Sequence, residues 1–400
     1  MDLSRRIKLG KKEIQLLDVL MAFGLLAAGL LVRICLAGYR SGDWEVFLEP
    51  WTNQLKQHGF RALATGFYNY TPIYMYILWF LTLLPVDTLL GIKAVSVIFD
   101  FILAVTVAKI VTEIKPGANP LLPFGIVWLA PAVISNSSMW GQCDAIYTAF
   151  VMLCLLYLLR DKSAKAMLFF GIAFAIKLQS IFFAPILVLL FFLKKIRFRE
   201  FLIIPAVYLV SIIPAFLAGR PFRELLLIYL GQTAGDNPTL SVIYPNIYYL
   251  IGNDVYLEVY GKAAICFTMG VLLVLLYYVL KKAYQTGLSA KVLVTAALAC
   301  GTLVVFLLPS MRERYSYMVD ILAVIYGFMN LKKLYVPLAR ITISFMAYTT
   351  YYRYGMYTSY EVLACVQVFL VVEIVYSLIN GLKEEECREK SGNHEVRQEG

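Results

Sequence analysis

Apolar runs of membrane-spanning length, separated by short polar gaps, repeat along all 400 residues. A helix that crosses a bilayer needs about 20 apolar residues. The spacing therefore predicts an all-α polytopic transmembrane bundle of roughly 11–13 helices with interfacial helices in the first outer loop. The expected crossings include 16–37, 89–111, 120–135, 142–159, 200–218, 261–280, 291–308, 316–330, 334–350 and 361–380. One integral-membrane domain over 1–382 is expected, followed by a mixed-charge, disordered cytoplasmic tail over 383–400.

The first run follows Arg5, Arg6, Lys8, Lys11 and Lys12. It is longer than the core of a signal peptide, and Gly38-Tyr39-Arg40 offers no small-residue cleavage site, so it reads as a retained helix with a cytoplasmic N-terminus. Lys109 with Lys115, Arg160 to Lys165, the basic run 194–199, Lys281-Lys282 and Lys332-Lys333 mark further inner loops. The outer segments are then 38–70, 136–144, 219–259, 309–315 and 351–360. Parity holds only if 71–86, bounded by Pro72 and Pro85, does not cross. A second irregularity is 167–193, where Lys177-Leu178-Gln179 splits the apolar run into two half-spans.

Composition agrees with this picture: 60% of residues are hydrophobic, 16% are charged and the mean hydropathy is +0.73. An ordinary soluble domain carries about 25% charged residues. The net charge of +10 is accounted for by inner loops facing anionic headgroups, and no basic-aromatic element points to nucleic acid. Seven cysteines without a CxxC pair indicate neither a disulfide framework nor a zinc site. His58 and His394 are the only histidines, which excludes a histidine-rich metal centre.

Against this background a few polar side chains stand out. Asp43, after Gly42, is placed either to act as general base on an acceptor hydroxyl or to cap a short helix. Trp140-Gly141-Gln142-Cys143-Asp144 sets a stacking ring and an amide beside an acid, though a cap-and-turn role would also explain Asp144. Lys177 and Gln179 interrupt apolar sequence, as does Asp100, a candidate counter-charge for Lys177. Snorkelling is the rival account of the lysine.

On the outer side, Arg312-Glu313-Arg314-Tyr315 suits phosphate binding by charge-assisted hydrogen bonds, or else forms a surface ion pair. Arg353, among tyrosines, would extend that pocket. Tyr70-Thr71-Pro72 and Tyr244-Pro245-Asn246 read as sugar-stacking walls or interface anchors.

Together these positions resemble the GT-C superfamily of integral-membrane glycosyltransferases that use polyprenyl-phosphate sugars. The group in mind contains the GPI mannosyltransferases, the dolichyl-phosphate-glucose glucosyltransferases and bacterial relatives. The resemblance implies Asp43 as catalytic base. It also implies Arg312, Arg314 and Lys177 on the donor phosphate. Substrate contacts would come from Asp144, Gln142, Trp140, Tyr70, Gln179, Glu313, Tyr315, Arg353 and Asp100. The implied reaction is an inverting transfer of one hexose, with mannose a candidate, to a glycan or glycolipid acceptor at the outer face of the membrane; the compact chain with short loops and no retrieval signal favours a bacterial plasma membrane over the endoplasmic reticulum. Partners would be the lipid-linked donor, the acceptor and membrane lipids.

A transporter or flippase of lipid-linked saccharides is the rival class. It normally shows internal repeats with matching broken helices, which this sequence lacks. A polymerase or ligase would carry its arginines on a long outer loop, whereas 219–259 has only Arg220 and Arg223. The first outer loop contains no Asp-x-Asp pair, so no cofactor and no divalent ion is expected. Activity unchanged by EDTA is the expected outcome; activity lost in EDTA and restored by Mg²⁺ or Mn²⁺ would contradict it.

Overall fold

Which helices face lipid and which face protein is set by side-chain size as much as by hydropathy. The structure, a computed structural model, describes residues 6–9, 12–233, 239–252, 257–352 and 359–398. A short antiparallel hairpin, Arg6–Leu9 with Lys12–Gln15, precedes helix α1 (Leu16–Leu36). A π-helical turn, Trp44–Leu48, leads into α2 (Glu49–His58) and a 3₁₀ segment, Gly59–Ala64. Next come α3 (Pro72–Thr82), α4 (Thr88–Ile114), α5 (Leu121–Leu129) and α6 (Pro131–Ile134), then α7 (Asp144–Leu159). The middle of the chain forms α8 (Ser163–Ile176), α9 (Ala184–Phe192), α10 (Phe198–Phe201), α11 (Ile203–Leu217) and α12 (Phe222–Thr233). The last elements are α13 (Tyr248–Ile251), α14 (Leu257–Thr286), α15 (Ala290–Leu307), α16 (Tyr317–Met329), α17 (Tyr335–Thr349) and α18 (Tyr360–Gln398).

Apart from that hairpin the architecture is the expected helical bundle. Six described helices are long and apolar enough to cross a membrane, and a seventh span results if the pair bent by 52° at Ala130 counts as one. Shorter apolar helices, among them α7, α8 and α16, pack between them. Helix α3 has 11 residues and so rises only about 16 Å. That is too short to cross a hydrocarbon layer of about 30 Å unaided. The region 383–390, expected to lack regular structure, instead continues α18, where Glu386 pairs with Lys282 and Lys390. Favourable charge pairs extend that helix past its apolar part.

The centre of the bundle is α15, buried at every position from Val292 to Leu307 and built largely of Ala, Val, Thr and Leu. Gly301 lets it approach α16: a Cβ there would lie 3.0 Å from Val319. Close approach through small residues is how helices associate where no hydrophobic gradient drives them. Gly29 of α1 is more restrictive still, since a Cβ would fall 2.0 Å from the Trp128 indole nitrogen.

That contact frames a buried ion pair. Arg33 of α1 donates to Asp100 of α4 through Nε (3.1 Å) and Nη2 (2.8 Å), with the two side chains 2% and 0% exposed. The guanidinium lies 3.8 Å from the Trp128 ring centroid, and the Tyr317 hydroxyl sits 3.5 Å from the other carboxylate oxygen. Helices α1, α4, α5 and α16 thus meet at one charge. Removing one partner of a buried pair is costly because the other charge is left uncompensated. Arg33→Met should destabilise the protein by about 3–5 kcal/mol, and Arg33→Met with Asp100→Leu should recover much of that loss. Thermal unfolding in detergent measures both; equal Tm values for wild type and the single variant would contradict the expectation.

Candidate functional site

Two breaks in otherwise apolar helices create the site. Pro131 forces Ala130 into an extended conformation, ending α5. After α6 the chain winds as a π-helix, Ser135–Trp140, and stops at Gly141, whose φ of +74° suits glycine. This sequence of turns aims Trp140 and Gln142 at the loop that follows α1. The second break is Lys177, extended between α8 and a 3₁₀ turn, Leu178–Phe183.

Asp43 receives three groups on one oxygen. Its Oδ2 accepts hydrogen bonds from Trp140 Nε1 (2.9 Å) and Gln142 Nε2 (2.5 Å), and Arg314 Nη1 lies 3.2 Å away. The same Nη1 donates to Glu313 Oε1 at 3.0 Å. The Asp43 and Arg314 side chains are 14% and 12% exposed, so the pair lies at the edge of solvent. Capping is not what holds Asp43: it makes no side-chain cap bond, and Ser41 Oγ accepts the Trp44 amide instead. Ser41 also donates to the Trp140 carbonyl at 2.9 Å, tying the first loop to the π-helix.

The guanidinium of Arg314 lies 5.2 Å from the Trp140 ring centroid, and that ring is wedged edge-on against Tyr348 and Tyr352. Burial opposes the charge on Arg314, but Asp43 and Glu313 outweigh it and hold its pKa well above the usual value. Glu313 is wholly buried, and desolvation raises its carboxyl pKa against the pull of Arg314 and Arg312. Half-buried Arg312 and Tyr315 flank this pair, and the Tyr315 amide donates to the Arg312 carbonyl. The cationic loop is pinned by residues 239–242: Ser310 N donates to Leu240 O, and Val242 N to Met311 O.

Behind the first cluster lies a second. Lys177 Nζ meets Asp144 Oδ1 at 2.5 Å, and Asn136 Nδ2 donates to Asp144 Oδ2 at 2.9 Å. One expectation is corrected here. The counter-charge of Lys177 is Asp144, which starts α7, and not Asp100, which is buried and paired with Arg33. Both Asp100 oxygens have partners, Arg33 on one and Tyr317 on the other. Lys177 and Asp144 bind each other. Tyr70 lies beside Lys177 (5.8 Å from ring centroid to Nζ) and packs edge-on against Trp51. Thr71 Oγ1 bonds the Ile176 carbonyl, fixing this turn to the break at Lys177. Gln179 is buried, and its Oε1 has no hydrogen-bond partner among the described residues. Arg353 lies outside the described residues.

The residues that position the site were less visible. Lys93 Nζ donates to the carbonyls of Ala37 (2.8 Å) and Tyr39 (2.5 Å), where the first loop begins. Ser96 Oγ donates to the Gln142 carbonyl at 2.8 Å. With Asp100 these occupy i, i+3 and i+7 of α4, one polar stripe on an apolar helix, and that periodicity is the signal that could have found them. Tyr244 is a loop anchor: its hydroxyl accepts from Arg340 (3.2 Å) and Gln367 (2.5 Å). No group of three or more His, Cys, Asp or Glu side chains is arranged for a metal among the described residues.

The arrangement offers a carboxylate and a cation in mutual contact, an indole and an amide beside them, and further buried polar atoms without partners, including Arg314 Nε, Glu313 Oε2 and Trp44 Nε1. Such atoms favour a polar ligand or water. The model of glycosyltransferase family 87 matches residues 67–310, more than half of the chain. The match includes Trp140, Gln142, Asp144 and Lys177 and leaves Asp43 and Arg314 outside it. No curated protein matches the chain.

Lys177→Met should lower stability by a few kcal/mol, about the cost of leaving one buried charge unpaired, and Lys177→Met with Asp144→Asn should regain most of it. Ligand binding that stays lost in the double variant while stability returns would place Lys177 on the ligand instead.

Proposed function

The chain belongs to glycosyltransferase family 87 and is a multi-pass membrane protein, and from that premise we propose an inverting transfer of one sugar from a polyprenyl-phosphate donor. The acceptor is a glycan or glycolipid at the membrane face that bears Asp43. The observation that supports this reading is the 3.2 Å contact between Asp43 and Arg314, which joins the carboxylate proposed as base to the guanidinium proposed for the phosphate from distant parts of the chain.

In the proposed step Asp43 takes the proton of the acceptor hydroxyl. That oxygen attacks the anomeric carbon as its bond to phosphate breaks, and the electron pair leaves with polyprenyl phosphate. One carboxylate suffices, because a single displacement inverts the centre and needs no covalent intermediate. Negative charge grows on the leaving phosphate, so Arg314, helped by Arg312, supplies the larger electrostatic contribution. Sugar and phosphate enter by parting the Asp43–Arg314 pair: the phosphate takes the guanidinium, and the carboxylate turns to the acceptor. Trp140 and Gln142 keep Asp43 in place while this happens, and Tyr70 and Glu313 flank the sugar. The reaction needs no divalent ion to neutralise the phosphate if the arginines do so.

Asp43→Asn should reduce turnover by roughly 10²- to 10⁴-fold, the usual contribution of a general base, and leave donor binding near normal. Arg314→Ala should instead weaken donor binding by roughly tenfold or more, since it removes a charge-assisted hydrogen bond. Proteoliposomes supplied with a polyprenyl-phosphate sugar test both. Normal transfer by both variants would overturn the site assignment. Lipid-linked saccharide crossing the bilayer at the native rate in Asp43→Asn, without transfer in any variant, would favour a flippase.

A further inference from the structure

A second cationic place lies in the first outer loop, against the end of α11. Phe60, Arg61 and Ala64 of the 3₁₀ segment face Pro214, Leu217 and Ala218 across an open groove of about 630 Å³. Its walls are held firmly. Within the turn around Pro214 the Tyr76 hydroxyl inserts into the helix ladder, donating to the Ser211 carbonyl (3.0 Å) and accepting the Ala215 amide (2.9 Å). Phe60 packs on Tyr76 and Trp79. Gly219, at φ +114°, then turns the chain tightly beside Ala64.

That turn delivers Arg220, whose side chain is only 6% exposed. Its guanidinium lies 4.3 Å from the Tyr68 ring centroid, its Nε is 3.6 Å from the exposed Glu224 carboxylate, and its buried Nη1 has no hydrogen-bond partner among the described residues. Arg61, on the groove, and Arg223, at the start of α12, are both exposed. Three arginines against one nearby acid is an unusual surplus on a face where basic residues are normally depleted. The adjoining surface is apolar: Leu217 is 76% exposed, and Ile213 and Phe216 are also exposed on the same helix. Arginine beside exposed hydrocarbon-facing side chains calls for an amphiphile with an anionic head. None of the groove's lining residues belongs to the Asp43 site.

We propose that this groove binds a bilayer phospholipid of net negative headgroup, its phosphate at Arg61, which lines the groove, with Arg220 just beyond the lining adding positive charge, and an acyl chain along the exposed face of α11. Protein reconstituted in nanodiscs of mixed phosphatidylglycerol and phosphatidylcholine, then extracted and examined by native mass spectrometry, provides the test. Wild type should retain phosphatidylglycerol in preference to phosphatidylcholine. Arg61→Gln and Arg220→Gln should each lower that retention roughly fivefold, the effect of one interfacial arginine on an anionic lipid, with binding of a polyprenyl-phosphate sugar at the Asp43 site unchanged. Arg61 is exposed, so Arg61→Gln keeps the test valid if Arg220→Gln fails to fold. Equal retention of the two lipids, or wild-type retention in Arg61→Gln, would overturn the proposal. Displacement of the lipid by millimolar inorganic phosphate alone would also overturn it, because the acyl chain would then contribute nothing.

Discussion

A charge placed among apolar helices must be matched, and much of this structure follows from that requirement. Arg33 with Asp100, Lys177 with Asp144, and Arg340 with Asp320 are ion pairs whose members are almost wholly buried. The first joins helices far apart in the chain and the other two join neighbouring segments, and each restricts how its helices are rotated against one another. Apolar contacts among Leu, Val and Ala tolerate small slips; a buried carboxylate left without its cation does not. The breaks at Pro131 and Lys177 lie beside these pairs, where backbone groups released from a helix also need partners.

The same constraint explains how loops come to hold a precise site. Helix α4 passes its polar stripe along one side: Asp100 holds α1, Ser96 holds the Gln142 carbonyl, and Lys93 holds the start of the first loop. On the other side Asp320 accepts from Arg340 (3.0 Å) and Ser344 (2.5 Å), and Arg340 reaches Tyr244 and Gln367. Tyr244 belongs to the segment that pins Ser310 and Met311, directly before the cationic loop. Asp43 and Arg314 therefore meet because two separate buried networks fix the loops that bear them.

The protein's arginines keep different company according to place. Arg33 and Arg340 are enclosed and serve the fold. Arg314 is shared by two carboxylates and keeps 12% of its side chain exposed. Arg220 sits on a tyrosine ring, two residues beyond the last residue lining the groove.

The sequence by itself determined the all-helical membrane class, the positions of most helices, the irregularities at 71–86 and 167–193, and the short polar motifs around Asp43, Trp140 and Arg314. These are local properties: run length, proline and glycine positions, and charges that interrupt hydrocarbon. Tertiary structure alone decided the partners. It gave Lys177 to Asp144 and Asp100 to Arg33, made Ser41 the group that receives the Trp44 amide, turned Tyr244 into an anchor, and carried α18 through the expected tail. Periodicity reports which face of a helix is polar but not which distant helix lies against it, because that choice depends on the simultaneous packing and charge balance of the whole bundle.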